Sequence, residues 1–320
     1  MTNTYTSKSL LTLFFLAVLP VDFVAVVAAV DIPSIEIGDD ANGQAVHMPL
    51  IGTGTWQYND TIAYQSVCKA FSAGYTFVDT AFGYKNQKGV GLAIRDCWTG
   101  SREDLFVMTK VPGGLTASQM EATHKQNLIE LGLDYVDHLM THFPSDWKKN
   151  VASPEHRQEE WQALERVYNR GEARSIGISH YCTHHINDIL KVAKILPSIN
   201  QVEYHVGSQD IDNVMRYCQE VGITFMSFSP LCGPCDYEPP DSLIHGDLVT
   251  EIGSHYNVTG SQISLKYIVQ QGIPVIPKSN TPSHIASNLD IFGFELSEED
   301  MSKLVTATKP SAEDGDCAVP

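Results

Sequence analysis

The feature that most constrains this chain is an alternation. Eight short β-rich runs, near residues 50–53, 76–79, 105–109, 135–140, 174–178, 198–202, 223–227 and 273–276, are separated by segments with apolar residues at helical spacing. Tyr64, Val67, Cys68 and Phe71 share one such face, Trp161, Leu164 and Tyr168 a second, and Ile211, Val214, Met215 and Cys218 a third. Strands that alternate with helices pair in parallel, and eight of them predict a closed (β/α)8 TIM barrel. An open doubly wound sheet would need a dinucleotide fingerprint after its first strand, and Gly52-Thr-Gly-Thr-Trp56 lacks the third glycine. No repeat or linker interrupts the alternation, so residues 30–320 are read as one domain. Ahead of it, Ile35-Glu-Ile37 and Val46 flank Asn42-Gly43, a hairpin signal. The irregular stretch from Leu231 to Ser242 is expected to cover the C-terminal face as a lid.

The first 29 residues are a separate object. An apolar run from Leu10 to Leu19 and a second ending at Ala29 follow a polar start with one basic residue, Lys8, and Val27 and Ala29 suit a signal-peptidase site. Residues 1–29 are therefore expected to be a cleaved secretory signal, which places the mature chain in the secretory pathway, secreted or in the endoplasmic-reticulum lumen. An uncleaved anchor, and with it membrane attachment, is the alternative; Pro20 and Asp22 weigh against it. Two sequons, Asn59-Asp-Thr61 and Asn257-Val-Thr259, would then carry glycans. Of the seven cysteines, Cys68 and Cys97 fall on apolar helix faces and read as inert core thiols. The net charge of −17 argues against nucleic acid as a partner, because that affinity rests on clustered Lys and Arg.

In a barrel of this kind the chemistry sits where strands end. The second run ends at Asp79, with Tyr84 in the loop behind it; the third ends at Lys110 and the fourth at His142. A tyrosine with an ordinary pKa near 10 becomes a usable acid if a cation lowers that value. Lys110 is placed to be the cation, Asp79 to keep it charged, and His142 to hold a carbonyl oxygen by a hydrogen bond. Such a group protonates a carbonyl but holds no electrons, so reduction needs a cofactor that carries them. Ser179 and His180 after run five, and Gln201 in run six, offer polar side chains for a carboxamide. Phe228, followed by Ser229, offers a ring for stacking, and Lys278-Ser279-Asn-Thr281 runs into a helix start as a phosphate site would. No metal is expected.

Taken together, residues 33–308 resemble the aldo-keto reductase family. The matching pieces are Met48 to Trp56, Gly74 to Ile94, Thr109-Lys-Val111, Leu133-Asp-Tyr-Val-Asp137, His142-Phe-Pro144, Gly171 to Ser179, Asn200 to His205 and Ile276-Pro-Lys-Ser279. The resemblance implies a barrel plugged at its base by the N-terminal β-hairpin and NADPH-linked reduction of aldehydes or ketones. It also implies a catalytic tetrad of Asp79, Tyr84, Lys110 and His142 with Tyr84 as the acid. Ser179, Gln201 and Phe228 fall on nicotinamide positions, and Lys278, Ser279 and Asn288 on positions for the adenosine end. Several residues depart from the family pattern. His180 stands where Asn is usual, His284 where Arg is usual, Ser287 where Glu is usual, Gln87 for a common Glu and Phe143 for a common Trp. An imidazole holds phosphate less firmly than a guanidinium, so NADPH is expected with a softened preference that leaves NADH possible. Cys232-Gly-Pro-Cys235 has the sequence of a thioredoxin site, but the prolines behind it prevent a prompt helix, and a lid disulfide is the better reading. The chain is expected to be a monomer that reduces small or medium carbonyl compounds, with Trp56 and Phe143 lining an apolar substrate pocket. The alternative is a secreted barrel that serves as a non-catalytic binding protein.

Overall fold

The computed structural model describes residues 31–148, 151–208, 210–231, 242–307 and 317–319. The N-terminal 29 residues and Cys232 and Cys235 lie outside this set, as does most of the expected lid.

Strands β1 (Ser34–Asp39) and β2 (Ala45–Pro49) form an antiparallel hairpin with Ile35 opposite Met48. Its turn is held by Asp40, whose carboxylate accepts from the amides of Asn42 and Gln44, and Gly43 supplies the left-handed conformation the reversal needs. Seven parallel strands follow in chain order: β3 (Thr53–Gly54), β4 (Phe77–Asp79), β5 (Phe106–Val111), β6 (Val136–Thr141), β7 (Ala173–Ser179), β8 (Ile199–Glu203) and β9 (Thr224–Phe228). The eighth position is filled by Ile273-Pro-Val-Ile276, which closes the sheet through parallel bridges from Val275 to Ile51 and to Ser227. Pro274 and Pro277 have no N–H to donate, which explains why this run makes isolated bridges rather than a ladder.

The crossovers α1 (Asp60–Ala73), α2 (Gln87–Cys97), α3 (Ala117–Leu131), α4 (Pro154–Asn169), α5 (Thr183–Leu190) and α6 (Val214–Val221) lie outside. After β9 come α7 (Ser242–His245), α8 (Asp247–Tyr256), α9 (Gly260–Val269), α10 (Pro282–Leu289) and α11 (Glu298–Val305). Local signals set many of the boundaries. Asn59 caps α1 by accepting from Ile62, and Gly74 ends it with φ 103°; Thr116 and Gln119 form a capping box on α3; Ser153 caps α4 ahead of Pro154. Helix α6 begins later than its apolar spacing suggests, because Asp212 and Asn213 adopt left-handed conformations.

Two cores result. The outer one, between barrel and helices, includes Val67, Val90, Trp161, Leu164 and Ile186. The inner one packs Ile37, Val46 and Met48 of the hairpin against Phe77, Phe106 and Ile199, the first residues of three barrel strands, and against Met108, Met140 and Met226. The hairpin thus plugs the end of the barrel where strands begin, leaving the opposite end for the site.

The reading of Cys68 and Cys97 as core thiols is corrected: they form a disulfide between α1 and the end of α2, with Cα atoms 5.3 Å apart. Both sit on inward faces, but the α1 and α2 faces meet there, which spacing along either helix alone does not reveal. A second disulfide joins Cys182 to Cys317, and Cys218 is a buried free thiol.

Candidate active site

Parallel strands point their C-terminal ends the same way, and the reactive residues arrive there together. Asp79 is the last residue of β4, Lys110 lies next to the end of β5, and His142 follows β6 directly. Tyr84 reaches the group through a single 3-10 turn, Phe82–Tyr84, that folds back behind β4 and ends at Lys85 in a left-handed conformation. Lys110 and Asp79 are almost wholly buried, at 0% and 1% exposure. The Lys110 ammonium donates to Asp79 Oδ2 at 2.6 Å and to Oδ1 at 2.8 Å, and to the Tyr84 phenol oxygen at 3.2 Å. The ammonium also donates to the Thr80 carbonyl at 3.3 Å; having no acceptor of its own, it makes the phenol an acceptor on its inner side, so the Tyr84 proton is directed toward the cavity. The His142 ring meets Tyr84 edge to face, with centroids 5.5 Å apart.

The electrostatics differ from the sequence expectation in one respect. Burial pushes the Tyr84 phenol well above 10, and the Asp79 carboxylate adds to the rise. The expected lowering by Lys110 is absent because its charge is already spent on a carboxylate within hydrogen-bond distance, so Tyr84 faces a nearly neutral pair. Lys110 is itself pulled below its ordinary value by burial, against the opposing pull of Asp79. Burial, Lys110 and His180 hold His142 well below 6.5, so it is a neutral imidazole at neutral pH.

Above these residues opens a cavity of about 700 Å³. Its lining includes Asp79, Tyr84, His142, Trp56, Phe143, His180, Gln201, Phe228, Ser229 and Lys278 from the residues singled out in the sequence. Lys110 lies behind Asp79 and Tyr84 rather than on the wall, and four others stand elsewhere. Ser179 is buried beside the cavity and donates to the Gln201 carbonyl at 2.9 Å. Gln201 itself donates to Asp79 Oδ2 at 3.1 Å, so its amide braces the acid from below. Ser279 accepts from the Thr281 amide at 3.2 Å in the turn before α10. His284 is exposed and Asn288 buried on α10, neither on the cavity wall. The His180 ring, in a backbone conformation with φ 62°, lies 4.5 Å from the Phe143 ring and 4.7 Å from that of Phe228.

Leu231 lines the cavity from the stretch expected to cover this face, and lining residues that sequence reasoning missed include Gln57, Pro112, Gly113, Ser145, Trp147, Pro230 and Ile244. Gln57 adopts φ 66° and accepts from the Lys278 ammonium at 2.6 Å, while that ammonium lies 5.2 Å from the Tyr58 ring centroid. Trp147 is 83% exposed at the mouth and packs edge to face on Phe143. No local pattern marks these positions, because they line the cavity only through the closure of the barrel.

The residues present fit a dinucleotide. A cationic lysine drawn below its ordinary pKa by burial sits at one end of the cavity, beside the start of α10, whose N-cap Thr281 makes no side-chain cap bond. An apolar ring, Phe228, lines the same cavity as the tetrad.

A closed parallel barrel with its acid, phenol, lysine and histidine gathered at the strands' C-terminal ends defines a class of barrel oxidoreductase. The family model of the aldo/keto reductase family matches residues 50–309, and the chain belongs to that family. Glyoxal reductase of Bacillus subtilis (strain 168) is 35% identical over 266 residues, 82% of this chain and 90% of that protein. Aldo-keto reductase family 1 member A1 of Gallus gallus is 31% identical over 288 residues, 84% of this chain and 87% of that protein. Among solved structures, an aldo-keto reductase from a Medee basin deep-sea metagenome library superposes with a TM-score of 0.74 at 32% identity, over 80% of this chain and 90% of that one. The protein is thus an oxidoreductase of a family that carries out NAD(P)H-dependent carbonyl reduction.

Proposed function

We infer that this protein reduces aldehydes or ketones of small to medium size to alcohols with NADPH, and that Tyr84 is the proton donor. The observation that carries the reading is the Lys110 hydrogen bond to the phenol oxygen, made while Lys110 is paired to Asp79 at the floor of the cavity. Lys278 and the start of α10 would hold the phosphates, Phe228 and His180 would hold the nicotinamide, and the cofactor, when bound, would supply the hydride equivalent. The chain's own residues do the rest. His142, neutral, donates a hydrogen bond that orients the carbonyl oxygen toward Tyr84. Tyr84 stays protonated until that oxygen becomes strongly basic, then gives up its proton, and the phenolate that remains is stabilised by the ammonium 3.2 Å away. Trp56, Phe143 and Trp147 exclude water from the reacting carbon.

Passage through the secretory pathway belongs to the same reading. Two disulfides support it, since such bonds persist in oxidising compartments, and both sequon asparagines, Asn59 and Asn257, are exposed.

The test follows reduced-nicotinamide absorbance with a broad aldehyde substrate. Wild-type protein consumes NADPH. Tyr84→Phe loses reduction by a factor of at least about 10² yet still quenches tryptophan fluorescence on adding NADPH. A Tyr84→Phe protein that keeps its activity refutes the assignment of the acid.

A further inference from the structure

Beneath the cavity, the first half of α4 turns three ionisable side chains inward that the reaction does not use. Arg157 is 1% exposed and Glu160 0% exposed, with His156 at their side. Each of the first two reaches a different active-site loop. Glu160 Oε1 accepts from the Leu115 amide at 2.9 Å, and the Gly114 amide also bonds to this carboxyl. Arg157 donates to the Pro144 carbonyl at 3.3 Å, and its other end is fixed by Asp188 Oδ2 at 2.7 Å.

These loops, residues 112–115 after β5 and 142–146 after β6, form one unit. A Cβ on Gly113 would fall 2.2 Å from the Phe143 carbonyl oxygen and 2.5 Å from that of Ser145, so only glycine allows this approach. The unit carries Pro112, Gly113, His142, Phe143 and Ser145, which form a continuous part of the cavity wall.

We propose that Glu160 and Arg157 are positioning residues that hold these two loops as one wall of the substrate cavity, and that the charge on Glu160 sets how tightly the wall is held. The charge enters because a carboxylate accepts backbone amides more strongly than a neutral carboxyl does. Glu160 is poised to change state. Burial raises it to about 8 against the opposing effect of the Leu115 and Gly114 amides and of Arg157, and its Oε2 has no hydrogen-bond partner.

Among the described residues, charged and titratable groups face it from α4, from the loop after β7 and from α5. His156 Nε2 lies 3.5 Å away on the same helix, together with Arg157. Tyr181, held far above its ordinary value, faces it from behind β7. Asp188, Lys191 and His185 of α5 act on Arg157 or through it. His185, lowered to about 4, stays neutral in the relevant range. Glu160 is therefore protonated at pH 6, with the wall loosely held, and ionised at pH 9, with the wall held firmly.

The role in catalysis rests on the reductase reading, but the clamp is testable without turnover. Hydrogen exchange of a peptide spanning residues 112–116 is compared between wild type and Glu160→Gln, whose amide keeps the acceptor and cannot ionise. At pH 6 the two proteins exchange alike; at pH 9 the wild type is protected about fivefold more, the difference between a charged and a neutral acceptor. In steady-state assays, the wild-type KM for the aldehyde falls about fivefold from pH 6 to pH 9. The KM for NADPH stays constant, and Glu160→Gln removes the aldehyde trend. Equal protection at both pH values, or a wild-type aldehyde KM flat across this range, overturns the proposal. Absence of turnover with intact pH-dependent protection would sink the reductase reading and leave the clamp standing.

Discussion

Replacing Lys110 with methionine isolates the physics of the site. The ammonium sits 2.6 and 2.8 Å from the two Asp79 oxygens, and both side chains are sealed from water. Removing it leaves a carboxylate whose one remaining side-chain nitrogen donor among the described residues is Gln201 at 3.1 Å. Breaking one side of a buried pair costs about 3–5 kcal/mol. A second route gives the same scale. The stranded carboxylate can escape by taking up a proton, and for an ordinary aspartate at pH 7 that costs roughly 4 kcal/mol. The escape route fixes the pH dependence: at pH 5 the same proton costs roughly 1.5 kcal/mol, so the deficit of Lys110→Met relative to wild type shrinks as pH falls. Adding Asp79→Asn removes the stranded charge and restores most of the lost stability at pH 7, while activity stays absent because Tyr84 no longer has an ammonium to hold its phenolate. Urea unfolding of the three proteins at both pH values, with reductase assays alongside, measures all of this. A Lys110→Met deficit independent of pH, or a double variant no more stable than the single one, refutes the account of the pair.

Other outcomes follow from the same geometry. Because His142 is held well below 6.5 and Tyr84 well above 10, neither changes charge between pH 7 and 9; kcat at saturating aldehyde is flat there, and a break in that range that vanishes with His142→Gln contradicts this. On the proposed NADPH reading, His284, exposed at the start of α10, is placed to meet the 2'-phosphate; His284→Arg then tightens NADPH by about tenfold and leaves NADH nearly unchanged, and equal gains for both in fluorescence titrations count against a 2'-phosphate contact. The Cys68–Cys97 bond spans 29 residues, a loop length for which closure entropy predicts roughly 3–4 kcal/mol; the Cys68→Ser, Cys97→Ser double variant should lose about that much in denaturant midpoint measurements, and no loss would mean the helices are already aligned in the unfolded chain.

Much of this architecture is legible in the residues because the signals are local. The Asn42-Gly43 turn, the Thr116–Gln119 box, Gly74 at the end of α1 and the apolar faces of α1 and α4 each act within a few residues. The tetrad is legible for a different reason: a parallel barrel makes strand ends neighbours, so Asp79, Lys110 and His142 meet without any sequence proximity. What escapes is whatever two distant segments decide jointly. Cys68 and Cys97 look alike as thiols or as a bridge until α1 and α2 are packed together. Gln201 lines the cavity as a cofactor ligand would, but its donation to Asp79 has no trace in the run that contains it. The rise of the Tyr84 phenol comes first from its burial and then from the Asp79 carboxylate, both set by how the strand ends close around it.

The bond between Cys182 and Cys317 orders the molecule's synthesis. Cys97 leaves the ribosome 29 residues after Cys68, so that pair can close while most of the barrel is unmade. Cys182 must wait for 135 further residues, past the last three barrel strands, before its partner exists. Through that interval a reactive thiol stands two positions from His180, and Cys218 is translated long before Cys317. Once the barrel folds, Cys218 is buried and withdrawn from competition. Protein made in a reducing cytosol would lack both bridges, and Cys317 would lack its covalent hold on the loop after β7. Recombinant material for the assays above should therefore come from an oxidising host compartment, with its thiol count checked before any rate is measured.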